Sequence, residues 1–193
     1  MRCGVLGLQG DWAAHAAVMR RLGVETAVVR TAAELAAVES LVLPGGESTA
    51  MLKLMEAEGL AGEIQARVEA GMPVLATCAG VILLARATRP AQRSLGLLDC
   101  DVERNAYGRQ VHSTVAEIEL ADELGPPAGM EAVFIRAPRI TRVGPTMAVL
   151  GRLGRDPVLV RQGRIIAATF HPELTDDERV HRLLVDEEAD RGC

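Results

Sequence analysis

Residues 73–80 read Pro-Val-Leu-Ala-Thr-Cys-Ala-Gly, and this stretch decides the fold. Pro73 to Thr77 is an apolar run too short for a helix, and it opens at once into small and aliphatic residues from Ala79 onward that favour one. A buried strand turning directly into a helix is the repeating unit of an α/β sheet. Cys78 stands at the turn. Such a turn pushes a side chain into the open, while the helix N-terminus favours a thiolate and offers unpaired N–H groups to a developing oxyanion. Ala76, Ala79 and Gly80 are small enough for the tight geometry, by the logic of a nucleophile elbow. The competing reading of Cys78 is an inert core thiol, the commoner state of a cysteine.

Upstream, residues 2–8 form an apolar run closing at Gln9-Gly10-Asp11, and Trp12, Ala16, Met19 and Leu22 then share roughly one helical face. Val24 to Val29 is a second strand, and Thr31 and Glu34 have capping-box spacing before a short helix. Ser40 to Leu43 is a third strand, halted by Pro44-Gly45-Gly46; Ser48 is placed to cap a helix running to about Ala57, with another helix over 60–70. Strands alternating with helices imply right-handed crossovers and a parallel sheet covered on both faces.

From about residue 96 the texture changes. VAEIEL, AVFI, MAVLGRL and VLVRQGRIIAATF are strand-like, with a turn at Gln162-Gly163, and should extend the sheet in partly antiparallel fashion. Thr175 and Glu178 again have capping-box spacing, before a polar C-terminal helix with Glu178 and Arg182 at i, i+4. No repeat or linker interrupts the chain. The expected architecture is therefore α/β, a single-domain three-layer sandwich around a mostly parallel mixed sheet, with one domain spanning residues 1–193.

Composition narrows the functions. A chain of 193 residues with 49% hydrophobic and 24% charged residues buries a core without staples, and with 2% aromatics that core is aliphatic. The net charge of -5, from 21 Lys+Arg against 26 Asp+Glu, comes with no basic run, which argues against nucleic-acid or membrane partners. Cys3, Cys78, Cys100 and Cys193 show no CxxC spacing, so neither a zinc site nor a disulfide framework is indicated, and no cofactor is called for. The opening MRCGVLGLQGDW is too short and Gly-interrupted for a signal peptide, and a cytoplasmic protein is expected.

A second chemical element is Phe170-His171-Pro172-Glu173, at the end of the run RIIAATF. A base must reach the nucleophile, and a carboxylate two residues on can point to the same side of an extended chain and fix the imidazole tautomer. An arbitrary HxE is more often a solvated loop. Here both Cys78 and the His171/Glu173 pair lie at strand ends, where open α/β sheets bind ligands. The third element is Pro44-Gly45-Gly46-Glu47-Ser48, between a strand and a helix; its glycines allow close backbone approach, so the Gly46 and Ala79 N–H groups are candidate oxyanion donors. An ordinary turn followed by a cap is the plainer alternative.

With these elements in one order, the sequence resembles the class I glutamine amidotransferases, and within them the glutaminase subunits of pyridoxal 5'-phosphate synthases. The resemblance runs through GVLGLQGD, LVLPGGEST, ATCAGVILLA, VERNAYGRQ, FIRAPRI and AATFHPELTDD. It implies a Cys78–His171–Glu173 triad that hydrolyses L-glutamine through a glutamyl thioester, and a synthase subunit as the partner that receives the ammonia in a hetero-oligomer. It also implies glutamine contacts from Gly46, Glu47, Ser48, Arg104, Ile135 and Arg136. Two arginines and a carboxylate suit the charged head of a free amino acid. The only Asn and only Tyr, at 105 and 107, add slight support. Ala76 and His112 depart from the family pattern, the former where the wider GxCxG pattern begins with glycine. His15 and His181 are assigned to helices without a role, and Cys3, Cys100 and Cys193 to packing or a terminus. The alternatives are another cysteine hydrolase, such as a peptidase or deglycase, and a non-catalytic binding or regulatory module; Arg104, Arg136 and Glu47 fit a free amino acid where a peptide would need an open groove, and the intact Cys78, His171 and Glu173 speak against the non-catalytic module.

Overall fold

The computed structural model describes residues 2–104, 106 and 114–189. Asn105, Tyr107, His112 and Cys193 lie outside them. Five strands build a parallel unit: β1 (Arg2–Leu6), β2 (Glu25–Val29), β3 (Ser40–Leu43), β4 (Val74–Thr77) and β12 (Ile165–Ala168), side by side in the order β2-β1-β3-β4-β12. Beyond β12 the sheet turns antiparallel through β11 (Asp156–Gln162), β10 (Ala148–Leu153), β7 (Thr114–Leu120) and β8 (Gly129–Phe134). Among the described residues this sheet has nine strands.

The strands β3, β4 and β12 are buried along their whole length, as expected for runs with helices on both faces. Their side chains alternate between two cores. Leu41, Leu43, Val74, Ala76 and Ala167 join one core with helices α2 (Ala32–Ala36), α3 (Ser48–Ala57), α4 (Leu60–Glu69) and α5 (Ala79–Leu84), while Val42, Leu75, Ile166 and Ala168 join the other. That second core is closed by Ala16 and Met19 of α1 (Trp12–Arg21) and by Val180 and Leu184 of α6 (Arg179–Ala189). This is a three-layer α/β/α sandwich. Each fully buried leucine or isoleucine stabilises it by roughly 1.5–3 kcal/mol. Ala76, the departure from glycine, is fully buried in β4 between Leu43 of β3 and Ala167 of β12, so its Cβ is accommodated.

The stretches VAEIEL, AVFI, MAVLGRL and VLVRQGRIIAATF extend the sheet in partly antiparallel fashion as expected, whereas one sheet was not read from the sequence and two helix caps differ from it. The strands β5 (Ala85–Arg89), β6 (Leu98–Glu103) and β9 (Arg139–Val143) form this separate three-stranded sheet. Leu98, Cys100, Val102 and Ile140 turn its apolar side onto the α3/α4/α5 core. Ser48 is not the cap of α3: Glu47 is, its carboxylate accepting the N–H groups of Thr49 at 3.0 Å and Ala50 at 2.7 Å, because its longer arm folds back over the helix end. Ser48 Oγ donates instead to Gln92 Oε1 at 3.0 Å. Thr175 does not cap α6 either; its hydroxyl donates to the Pro172 carbonyl, and Asp177 accepts the Arg179 N–H at 3.0 Å. The capping box at Thr31 and Glu34 and the Glu178–Arg182 pair are both formed.

Candidate active site

The C-terminal ends of β1, β3, β4 and β12 open on one edge of the sheet, and the loops that follow them meet there. Cys78 leaves β4 with φ 45° and ψ −100°. For a residue with a Cβ such a backbone costs about 1–3 kcal/mol and persists only where its surroundings hold it. Here the Cys78 N–H donates to the Ala168 carbonyl at 2.8 Å, and its own carbonyl accepts the Val81 N–H at 3.1 Å. Gly80 lets α5 begin at once, since a Cβ there would stand 2.4 Å from the Leu43 carbonyl oxygen. The thiol makes a loose 3.8 Å contact with the Ile135 carbonyl.

His171 follows β12, its N–H fixed to the Val133 carbonyl at 2.8 Å. Pro172 then starts a 3₁₀ turn, Pro172–Leu174, that swings Glu173 back beneath the ring. The expected extended chain is absent; the turn makes the contact, with His171 Nδ1 2.8 Å from Glu173 Oε1. A carboxylate only accepts, so Nδ1 carries the proton and Nε2 is left for the Cys78 sulfur, with which the ring is hydrogen-bonded. Burial opposes a charge on His171, but the hydrogen bonds with Cys78 and Glu173 and the field of both outweigh it, and the ring is pushed up to about 10.

A cavity of about 350 Å³ opens over the sulfur. Its wall brings together every predicted contact residue, Gly46, Glu47, Ser48, Arg104, Ile135 and Arg136, with Cys78, Ala79 and His171, while Glu173 stands behind the ring. Gly45 is pressed against the reacting pair: a Cβ there would lie 2.5 Å from His171 Cε1 and 3.4 Å from Cys78 Cβ. Arg104 Nη2 donates to Thr49 Oγ1 at 3.2 Å and stands 3.9 Å from Glu47 Oε1, leaving that carboxylate half-exposed toward the opening. Burial tends to raise the Glu47 pKa, but the two capping N–H bonds and Arg104 hold it below the usual carboxylate value.

Some residues of the site were missed from the sequence. Gly10, Asp11, Gly45 and Ile82 also line the cavity, and the turn Gln9-Gly10-Asp11 at the end of β1 was the signal available for the first two. Gln9 Oε1 accepts the Glu47 N–H at 3.0 Å and so braces the glycine loop. His15 and His181, read as helix residues without a role, are fully buried beside the site, and His15 Nε2 lies 3.3 Å from Glu173 Oε2. Nothing in their spacing shows this, because α1, α6 and the 3₁₀ turn meet only in the fold. Of the other cysteines, Cys3 is buried, and burial followed by the charge of Asp101 pushes the Cys100 thiol up to about 12. Neither is a competing nucleophile.

Fold and geometry together define the class: an α/β protein with a thiol, an imidazole and a carboxylate in line at the carboxyl edge of a parallel sheet. The chain belongs to the SNO glutamine amidotransferase family, whose model matches residues 5–190. It is 50% identical over 188 residues to the pyridoxal 5'-phosphate synthase subunit PdxT of Solibacter usitatus, covering 95% of this chain and 97% of that protein. The subunit of the same name from Thermotoga maritima is 47% identical over 190 residues, with 96% and 98% covered. Among solved structures, a crystal structure of a glutamine amidotransferase superposes with a TM-score of 0.89 at 44% identity, covering 97% of this chain and 98% of that one. No helix among the described residues is long and apolar enough to cross a membrane.

Proposed function

We propose that the chain is a glutaminase subunit that hydrolyses L-glutamine and passes the ammonia to the synthase subunit of a pyridoxal 5'-phosphate synthase. The observation that carries this reading is the strained Cys78 facing a His171 ring held by Glu173 at 2.8 Å. The whole-length likeness to proteins named as subunits of that synthase supports the partner. Residues 1–193 act as one glutaminase domain, and the free thiols of Cys3, Cys78 and Cys100 among the described residues fit a reducing cytoplasm.

The Cys78 thiolate attacks the side-chain carboxamide carbon, and the N–H groups of Gly46 and Ala79 receive the oxyanion. His171, carrying its proton at neutral pH, gives it to the departing nitrogen, which leaves as ammonia. A glutamyl thioester remains on Cys78. Water then attacks it as His171, oriented by Glu173, takes a proton, and glutamate leaves with the thiolate restored. Glu47, Arg104 and Arg136 meet the ammonium and carboxylate of the amino acid, with Ser48 and Ile135 completing the wall. Ammonia set free in water at neutral pH becomes mostly ammonium, which is no nucleophile; a bound synthase that shields it is thus part of the function.

The test is glutamate release from glutamine by wild type and by Cys78→Ala, each with and without the synthase subunit. Release by wild type with its partner and none by the variant is expected. Silence of the wild-type complex, or equal rates for the two proteins, would remove the reading.

A further inference from the structure

His15 lies on the buried face of α1, with no exposed surface, between three elements. Its Nε2 is 3.1 Å from Thr77 Oγ1 on β4 and 3.3 Å from Glu173 Oε2 on the 3₁₀ turn, and its Nδ1 is 3.0 Å from His181 Nε2 on α6. Thr77 immediately precedes Cys78. Glu173 Oε1 is taken by His171, whereas Oε2 is buried without a hydrogen bond of ordinary geometry among the described residues. The side chain of Glu173 is 1% exposed, so water does not solvate that oxygen.

We propose that His15 is a positioning residue: through one N–H it holds the second oxygen of Glu173 and the threonine before Cys78, and so sets the His171 ring against the sulfur. This rests on the triad reading above. The proton order follows from which atoms can donate. A carboxylate only accepts, so His15 Nε2 carries the hydrogen, shared between Glu173 Oε2 and Thr77 Oγ1. His15 Nδ1 is then a bare lone pair and accepts the Nε2 hydrogen of His181. One proton fills each gap, whereas the opposite tautomer aims a lone pair at a buried carboxylate oxygen.

Both rings stay neutral. Burial first, then the neighbouring His181 and His171, push His15 well below its ordinary value; burial and Arg21 bring His181 to about 4 against the opposing pull of Glu178. The neutral donor orders Glu173 without adding a positive charge that would compete with His171 for it. With His15 removed, Glu173 gains freedom to rotate away from Nδ1, and the ring loses its fixed tautomer. His15 is absent from the cavity wall, so glutamine affinity is untouched.

The experiment is steady-state glutaminase kinetics of the complex with its synthase subunit, for wild type, His15→Met and His15→Gln, normalised to the Cys78 that iodoacetamide alkylates. Expected is a kcat roughly tenfold to a hundredfold lower in His15→Met, the size of loss that a misplaced catalytic group produces, with KM unchanged. His15→Gln, whose amide nitrogen reaches the place of Nε2, should recover most of it. Wild-type kcat per titrated Cys78 in His15→Met, or a His15→Gln no better than His15→Met, overturns the inference and leaves the triad standing; a silent wild-type complex overturns the triad reading itself. Should His15→Met fail to fold, ¹⁵N imidazole spectra of the wild type decide. Hydrogen on Nε2 of His15 sustains the inference, and hydrogen on Nδ1 ends it.

Discussion

At Cys78 the backbone and the chemistry are in conflict, and the conflict can be measured. At an ordinary position alanine is more stabilising than glycine, because glycine gives up more chain entropy on folding. With φ 45° and ψ −100° the order should invert: Cys78→Gly is expected to be more stable than Cys78→Ala by about 1 kcal/mol. Urea unfolding of the two variants checks this, and an Ala more stable than Gly would mean that the turn is not strained. Both variants should lose glutaminase activity by at least about four orders of magnitude. The same residue controls His171. Its ring is pushed up to about 10 against the opposing effect of burial, partly by Cys78, so Cys78→Ala should titrate lower in NMR of the His171 ring carbons.

At the scale of elements, the glycine loop and helix α3 show how a cap and a contact residue coincide. Glu47 holds the Thr49 and Ala50 N–H groups while facing the cavity. Glu47→Ala should cost about 1 kcal/mol of stability, a cap's worth, and raise KM for glutamine. Glu47→Ser, a shorter cap, should restore the stability and leave KM high; if KM recovers too, the carboxylate has no part in binding. The sequence placed this helix correctly and misassigned its cap, because Ser is the commoner cap and a glutamate's reach cannot be judged without the backbone. In the same way, the spacing of His171 and Glu173 is visible in the sequence but the 3₁₀ turn that joins them is not. The parallel strands were legible because doubly covered runs are continuously apolar, and Gly46, Glu47 and Ser48 reached the cavity wall because their loop follows such a strand, whereas Arg104 comes from the end of β6 and Ile135 and Arg136 from the end of β8. The sheet β5-β6-β9 was not. Strand β5 continues directly from α5 without a turn residue, and half-covered strands such as LDCDVE carry acidic residues that blur the pattern.

The whole molecule places two neutral histidines between α1, α6 and the end of β4, and this location governs its response to acid. His181 has a folded value near 4 and His15 is also held well below its ordinary value, in both cases chiefly by burial. Unfolded, each would titrate near 6.5, so between about pH 6.5 and 4 the unfolded chain binds more protons than the folded one, and stability falls as pH falls. Above pH 6.5 neither group contributes a slope. The expected loss for His181 is about 3 kcal/mol over that window, from 1.36 kcal/mol for each unit of displacement, and His15 adds to it. Carboxylates such as Asp177, held below its ordinary value against burial by its bonds with Arg179, lose their share at lower pH, since stability from a depressed acid vanishes only as pH falls through its folded value. His181→Gln keeps an amide donor toward His15 and removes one proton from the balance. Its urea-unfolding free energy, followed from pH 7.5 to 4.5, should fall less steeply than that of the wild type by about one proton's slope, near 1.4 kcal/mol per pH unit where the slopes differ most. Identical slopes would mean that His181 is charged in the folded protein, and the neutral pair behind Glu173 would then be the wrong description of how this core is built.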